Sequence, residues 1–323
     1  GERIASQQGR AGLRLQNALP DARVLYVSAT GATTVANLEK HFQGLGWHPS
    51  PMPLGIHRDD TDPEKSACIR CGTCGGYPCL VLAKSDARTM ALGPIEGASN
   101  VTLMANAKVL RLDTNAAGTT VTKVQVEQDG ELTFYEGDLI VLAAGAVNSA
   151  AILLNSNNPG HENGLANASD QVGRNYMFHT MSAVVSVAPA PVQAFFPKTL
   201  YVNDFYWKDP EGGFDWPMGH FQLLERMEGH VLEGQIEEEG VSPFLIPDFV
   251  SDGLADRMLA FLVLSEDLPS PRNRVRWDGD KLRLEYWRGS LDGHNRLVGK
   301  LDKAMDSFDD GGHVFTRHHF QFT

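Results

Sequence analysis

The sequence has few cysteines and no long hydrophobic or basic run. All four cysteines of the 323 residues fall between Cys68 and Cys79, which excludes a disulfide framework spread over the chain. No apolar run reaches the roughly 20 residues that a bilayer requires. The first ten residues, GERIASQQGR, contain no apolar signal-peptide core. We therefore expect no membrane span and a cytoplasmic location.

The charge balance is acidic. Lys and Arg total 28 and Asp and Glu total 40, so the net charge is −12. An acidic chain without a basic cluster is a poor match for nucleic acid or for an anionic membrane. The length suggests about two domains, and a hydrophobic fraction of 42% is sufficient for their cores.

Glycine motifs that bind phosphate are also absent. The sequence contains no G-x-x-x-x-G-K-[ST] loop and no strand followed by G-x-G-x-x-G. Gly44 and Gly46 precede a proline-rich segment, which favours an extended crossing over a surface rather than a strand and helix.

The most informative stretch is EGDLIVLAAGAVNSAAILLNS, residues 136–156. The apolar residues 139–142 predict a strand buried on both faces. The small residues 143–146 predict a bend that another body can approach closely. Asn148 and Ser149 can then cap a helix. A strand, a bend and a helix N-terminus can together form a binding site for a nucleotide, although such units also occur with a purely structural role.

The four cysteines form a cluster in the segment CIRCGTCGGYPC, residues 68–79, with the spacing C-x2-C-x2-C-x4-C. The first three match the spacing of an iron–sulfur loop, and zinc also accepts four thiolates. The metal hypothesis assigns as ligands Cys68, Cys71, Cys74 and Cys79. The alternative is a glycine-rich loop of unmetallated thiols, and the sequence leaves both open.

Local patterns predict several elements. Asp129-Gly130 predicts a hairpin between residues 121–128 and 131–135, and Asp278-Gly279 predicts a second one. Short helices are expected at 36–45 and 84–92. Residues 295–308 have the apolar spacing of an amphipathic helix.

After residue 180 the runs become rich in aromatic and branched residues, which predicts a mainly antiparallel sheet. Its aromatic side chains suit either a core or a wall that binds sugars (Phe205, Tyr206, Trp207, Trp216 and Phe221). We expect the final residues, with His313, His318 and His319, to form a solvated tail.

Four segments, which follow one another in the same order as in the family, resemble the middle of a glucose-methanol-choline (GMC) oxidoreductase. The resemblance extends from about residue 37 to about residue 305. The segments are CIRCGTCGGYPCLVLAKSDA, NVTLMANAKVLRLD, DLIVLAAGAVNSAAILLNS and GLANASDQVGRNYMFH. The resemblance implies an α/β (α+β) fold: an incomplete FAD-binding domain of the GMC and glutathione-reductase type, plus a mainly antiparallel substrate domain. It also implies FAD as cofactor and an alcohol or sugar as substrate.

The resemblance assigns cofactor-binding residues as well. It places Val109 at the FAD adenine and Ala143, Gly145 and Ala146 beside the adenosine, with Asn148 at the helix start. Asn175 and His179 would lie close to the flavin ring. The G-x-G-x-x-G motif and the catalytic histidine segment of the family are not found, so we expect a truncated form, unassigned catalytic residues and a partner chain that supplies the missing segments.

Residues 1–35 resemble a different family, the strawberry-notch helicase-like ATPases, through GRAGLRLQNALPDARVLYVSATGATTV. The expected division of the chain is a helicase-like leader (1–35), a linker or lid (36–66), a partial FAD-binding domain with the cysteine loop (67–180), a substrate domain (181–312) and a tail (313–323). Two other functions stay open: an inactive fragment or pseudoenzyme without FAD, and an electron-transfer subunit built on a metal or iron–sulfur site in the cysteine loop.

Overall fold

The computed structural model describes residues 30–59, 62, 64–69, 71, 74, 77–188, 190–192, 198–224, 228–238, 247–279, 281–308 and 316–322. The described helices are α1 (Thr30–Gly44), α2 (Gly145–Asn155), α3 (Gly229–Glu238), α4 (Asp248–Ala255) and α5 (Asp292–Asp306), with a π-helical turn at Arg88–Leu92 and a 3₁₀ turn at Gly93–Ile95. The described strands are β1 (Ser50–Pro51), β2 (Ala107–Thr114), β3 (Val121–Gln128), β4 (Glu131–Tyr135), β5 (Thr180–Val187), β6 (Leu200–Val202), β7 (His220–Leu223), β8 (Met258–Ser265), β9 (Arg274–Trp277), β10 (Leu282–Glu285) and β11 (Thr316–Phe322). None of these helices is long and apolar enough to span a membrane.

The chain forms two compact units, and each is built from separate segments. The first unit takes residues 1–94, 180–265 and 292–323, and the second takes 95–179 and 266–291. Every described strand pair is antiparallel. The fold is therefore mixed, with helices and antiparallel sheets, and the five-part division expected from the sequence stays a prediction.

The first unit is built on a six-stranded sheet in the order β1-β6-β7-β8-β5-β11. Helices α1 and α5 contribute to the core, because their apolar residues recur every three or four positions and so lie on one face. Buried members of that core include Leu38 and Phe42 from α1 and Leu297 and Leu301 from α5. The amphipathic helix predicted at 295–308 is thus confirmed, with an earlier start.

Three other expectations for this unit differ from the structure. Helix α1 begins at Thr30, six residues before the predicted start, and Phe42 and Trp47 from the expected linker are buried core residues. The Phe42 ring packs edge-on against Phe221 at 5.6 Å between centroids. In the predicted helix 84–92, the described structure has a π-helical turn over Arg88–Leu92.

The expected solvated tail is wrong for residues 316–322. They form β11, which pairs with β5, and His318 lies opposite Val185 and His319 opposite Val184. The backbone hydrogen bonds of this edge strand come from a segment about 130 residues earlier, and no local pattern reveals such a partner. His313 lies outside the described residues, as do residues 1–29 of the expected helicase-like leader.

The second unit contains the three-stranded sheet β2-β3-β4 and the hairpin β9-β10. In the β3-β4 turn, Asp129 and Gly130 have φ angles of +50° and +86°. Two successive positive φ angles match the twist of the flanking strands, and Asp-Gly tolerates them best. The hairpin prediction is confirmed, and so is the second one, where Trp277 pairs with Leu282.

Candidate functional site

The segment predicted as a buried central strand forms no strand and is only partly buried, with Leu142 packed against the cluster of Leu112, Ile152 and Leu165. Residues 136–144 form no helix or strand, and the side chains of Leu139 and Val141 are 84% and 75% exposed. A strand buried on both faces belongs inside a sheet, and no described strand pairs with this segment. The strand prediction is therefore wrong for the described part of the chain.

The bend that follows this segment is open. Gly145 begins α2 with a φ angle of +79°, and a Cβ built there would meet no heavy atom within 4 Å. Ala144 provides no side-chain cap to the helix, and its own N–H donates to Ser149 Oγ at 3.1 Å. Exposed backbone beside an uncapped helix N-terminus can accept a flat group or an anion.

The other residues predicted around this bend are also accessible. Ala143, Ala146 and Asn148 are all exposed. The helix predicted to start near Asn148 is confirmed, but it begins three residues earlier and buries Ala151 and Ile152. No neighbouring side chain closes the bend among the described residues.

Val109 lies on the strand to which α2 is attached. It is 36% exposed in β2, immediately before an irregularity in the pairing of β2 with β3. Asn155 Nδ2 donates to Leu110 O at 2.9 Å, and the Leu112 N–H donates to Ser156 Oγ at 2.8 Å. These bonds hold the C-terminal end of α2 against β2, so Val109 and the helix belong to one packed body.

Asn175 and His179 lie on a loop held by β9. The Val275 N–H donates to Gly173 O at 2.8 Å, and the Tyr176 N–H donates to Asn273 O at 3.1 Å. Asn175 has a φ angle of +56°, a conformation that asparagine tolerates better than most residues. His179 is exposed.

The same loop is clamped by an ion-pair cluster that sequence reasoning missed. Asp170 accepts hydrogen bonds from Arg174 and from Arg274, the latter at 3.0 Å. These two guanidinium groups lower the pKa of Asp170 from 3.8 to about 2. Arg174 follows Asp170 by four residues, which is a local signal, whereas Arg274 is 104 residues away and gives none.

An aromatic cluster lies beside the loop. The Phe178 and Tyr286 rings are 4.7 Å apart, and Tyr176 meets Tyr286 edge-on at 6.0 Å. The Tyr286 hydroxyl donates to Asp267 Oδ2 at 2.8 Å. Partial burial, together with that carboxylate, raises the pKa of Tyr286. The phenol therefore stays protonated and donates to Asp267, while its ring packs against Tyr176 and Phe178 of the loop.

All seven predicted cofactor residues lie in the second unit. Helix α2 packs against both β2 and β9. It therefore links the strand of Val109 to the strand that holds the loop of Asn175. The structure brings together the elements that carry these residues, and direct contact between Val109, Gly145 and His179 is not observed.

The cysteine loop belongs to the first unit. Cys68, Cys71, Cys74 and Cys79 are thiols rather than disulfides, and all four line one cavity of about 280 Å³. Four thiolates bind zinc only when their sulfurs converge at about 2.3 Å from a common point. Among the described residues, no group of three or more His, Cys, Asp or Glu side chains is placed to hold a metal. The iron–sulfur or zinc hypothesis is therefore not supported.

The candidate sugar-binding aromatics separate into two groups. Phe205 and Phe221 are fully buried in the core of the first unit. Trp207 and Trp216 are 76% and 71% exposed. The core interpretation therefore holds for the first pair, whereas the second pair has accessible rings. Tyr206 is half-buried.

Comparison with known proteins gives two kinds of similarity. Residues 1–52 match the family model of the P-loop containing NTP hydrolase pore-1. The chain is 30% identical over 182 residues to 6'''-hydroxyparomomycin C oxidase of Streptomyces lividus, covering 53% of this chain and 33% of that protein. It is 25% identical over 252 residues to 2-methyl-1,2-propanediol dehydrogenase of Mycolicibacterium austroafricanum, covering 76% of this chain and 44% of that protein.

A solved structure of Aspergillus oryzae RIB40 formate oxidase, determined in a study of its FAD modification, shares the fold. It has a TM-score of 0.55 at 14% identity, and the match covers 88% of this chain and 55% of that chain. The chain thus spans between one third and just over half of the proteins it matches. Outside the match at its first residues, the chain is similar in sequence to an oxidase and a dehydrogenase, and in fold to a second oxidase.

Proposed function

We propose that the chain is part of an FAD-dependent oxidoreductase of the GMC type that oxidises a CH–OH group of an alcohol or sugar. The observation that carries the proposal is the open bend at 143–146, where Gly145 leaves bare backbone beside the uncapped start of α2. Similarity to two oxidoreductases named for hydroxylated compounds supports the reaction class.

The bend has the features that an adenosine group requires. A flat base can lie on backbone only where no Cβ projects, and the space at Gly145 is clear to 4 Å. The positive end of the helix dipole favours a nearby phosphate. Val109, partly exposed on β2, is proposed to contact the adenine through its main chain. These residues therefore fit the adenosine side of FAD.

The bound flavin would supply the hydride acceptor. In this proposal Asn175 and His179 orient the flavin ring. The ion pairs of Asp170 with Arg174 and Arg274, here called the Asp170 clamp, keep their loop in place. His179 is exposed, so its ring is accessible to a ligand. The groups that hold the pyrophosphate and take the alcohol proton are proposed to come from polypeptide outside these 323 residues, on the same chain or on a second one.

A titration with FAD tests whether the bend at 143–146 binds the nucleotide. Ala146→Leu places a large side chain over the bend at an exposed position without changing a glycine. We expect the Kd for FAD, measured by calorimetry, to rise at least about tenfold, which is roughly 1.4 kcal/mol. Ala117→Leu makes the same change at an exposed turn in the same unit and should leave the Kd unchanged.

Competition distinguishes the two halves of the cofactor. AMP should displace FAD, because the proposed seat binds adenosine, whereas riboflavin should displace it weakly. Equal Kd values of Ala146→Leu and the parent chain for FAD would reject the proposal that this bend binds the adenosine. Failure of the parent chain to bind FAD or AMP would reject the proposal and favour the inactive fragment.

A further inference from the structure

The cysteine loop is a closed structure attached to the segment before it. The Cys68 N–H donates to His57 O at 3.1 Å, and the His57 N–H donates to Ala83 O at 2.6 Å. The Ser85 N–H donates to Gly55 O at 2.7 Å. Both ends of the loop are therefore fixed on the same short segment, which holds its cysteines around one space.

That space is apolar and accessible. The cavity of about 280 Å³ has the four thiols in its wall together with side chains such as Ile56 and Ile69. All four cysteines are half-buried, so solvent reaches them. No described group of side chains is arranged to hold a metal here. The proposed oxidation of a CH–OH group uses none of these thiols.

The sulfur of Cys79 is held by a backbone donor at a tight turn. The Leu82 N–H donates to Cys79 O at 3.1 Å and closes a tight turn, in which Leu82 has a φ angle of +49°. This turn directs the Ala83 N–H to Cys79 Sγ at 3.2 Å. Lys84 follows, and its Nζ donates to Tyr77 O at 2.8 Å, which keeps the ammonium close to the turn.

These contacts favour the thiolate of Cys79. The Ala83 N–H lowers the pKa of Cys79 most, and Lys84 adds a smaller Coulombic effect in the same direction. The thiolate is the form that attacks electrophiles, so a backbone donor on its sulfur favours attack by Cys79. Three further thiols line the same cavity and are available for a second step.

We propose that the cysteine cavity is a site of reversible thiol oxidation by hydroperoxides, in which Cys79 reacts first and another cavity cysteine then forms a disulfide with it. In the first step, the Cys79 sulfur attacks hydrogen peroxide, an S–O bond forms, the O–O bond breaks and hydroxide leaves. In the second step, a second cavity thiol attacks that sulfur, hydroxide leaves and its proton completes water. Two thiols are oxidised by two electrons, and peroxide is reduced to two waters.

The inference goes beyond the proposed function and does not depend on it, since added peroxide is the only reagent required. The reduced chain of 323 residues is treated with hydrogen peroxide and then with N-ethylmaleimide, and its peptides are mapped by mass spectrometry. We expect two maleimide sites to be lost from residues 68–79 and an intact mass about 2 Da lower, as for one disulfide. Dithiothreitol should restore both sites.

Four single serine variants identify the reactive thiol. Cys79→Ser should oxidise about tenfold more slowly than the parent chain, because its thiolate is the nucleophile. Cys68→Ser, Cys71→Ser and Cys74→Ser are the matched controls and should keep the fast first step. In the variant that retains Cys79 alone, dimedone should label Cys79 after peroxide treatment.

A circular-dichroism melt of each variant confirms that the chain is folded. Oxidation of Cys79→Ser at the parent rate would overturn the assignment of the first thiol. In four further variants, each of which retains one cysteine, equal dimedone labelling of all four cysteines would also overturn this assignment. Four unmodified thiols after peroxide treatment of the parent chain would overturn the site itself.

Discussion

Asn155 at the end of α2 donates a hydrogen bond from Nδ2 to the carbonyl oxygen of Leu110 in β2, at 2.9 Å. The two residues are 45 positions apart, and this bond lies beside Val109. A second bond runs from the Leu112 N–H to the buried Ser156 Oγ. These two contacts, together with the packing of α2 against β2 and β9, fix the direction of α2 and therefore the position of its open N-terminus.

Removing the Asn155 side chain tests this attachment. Asn155→Ala leaves the Leu110 carbonyl without its side-chain donor, and we expect the free energy of unfolding to fall by about 1–2 kcal/mol. Asn157→Ala, two residues later and exposed, should change it by less than about 0.5 kcal/mol. Urea unfolding followed by circular dichroism measures both. Similar values for the two variants would show that the bond does not hold the helix.

A buried histidine joins two strands of the six-stranded sheet to α5. His294 is 3% exposed, and its ring nitrogens contact Ser182 Oγ at 2.8 Å and Ser265 Oγ at 2.9 Å. His294→Leu would leave both hydroxyls without this partner, at a cost of about 2–4 kcal/mol. His48→Ala, which removes a ring that is largely exposed, should cost no more than about 1 kcal/mol. Chemical denaturation of the two variants gives the comparison.

The Asp170 clamp should make the stability of the second unit depend on acid pH. The pKa of Asp170 is about 2 in the folded chain, against an ordinary value of 3.8, so the folded chain binds the proton less tightly than the unfolded chain does. The stabilisation is present above pH 4 and is lost as the pH falls toward 2. Asp170→Asn should therefore melt below the parent chain at pH 6, and the two should converge toward pH 2.

The matched control for the clamp is Asp215→Asn, at an exposed position of the first unit. Its melting temperature should follow that of the parent chain over the same pH range. A difference between Asp170→Asn and the parent that persists unchanged at pH 2 would contradict a role for the ionised carboxylate.

Alanine variants of two glycines with nearly the same φ angle distinguish backbone strain from steric collision. Gly173 and Gly130 have φ angles of +80° and +86°. A Cβ on Gly173 would lie 2.6 Å from the Val275 carbonyl oxygen, whereas a Cβ on Gly130 would meet nothing within 4 Å. Gly130→Ala should cost about 1–2 kcal/mol of strain. Gly173→Ala should cost more than twice as much, because the loop of Asn175 must move away from β9.

Calorimetric melts of both alanine variants test this difference. If Asn175 binds the flavin, Gly173→Ala should also weaken FAD binding, and Gly130→Ala should not. Equal destabilisation of the two variants would mean that the loop has room to relax.

Several elements were predictable because their signals are local. Asp129-Gly130 supplies the two positive φ angles that a tight hairpin needs. The apolar spacing of Leu297 and Leu301 places both on one face of a helix, whatever that face packs against. The small residues at 143–146 likewise predicted an open bend, since side-chain size is a property of the residues themselves.

Other predictions failed because they depended on distant partners. Residues 139–142 have the composition of a buried strand, yet a strand forms only beside another strand, and none is described there. Residues 316–322 were expected to lie in a solvated tail and instead pair with β5. The cysteine spacing suited a metal, but the direction of each thiol depends on turns such as the one that ends at Leu82.

The sequence by itself determined the hairpin turns, the amphipathic helix, the open bend and the gathering of all cysteines in one loop, because each depends on residues close together in the chain. Only the tertiary structure decided that Asp170 meets Arg274, that α2 is attached to β2, and that the four thiols line one cavity. These features depend on the packing of segments far apart in the chain, and the free energy of that packing is not encoded in any short stretch of residues.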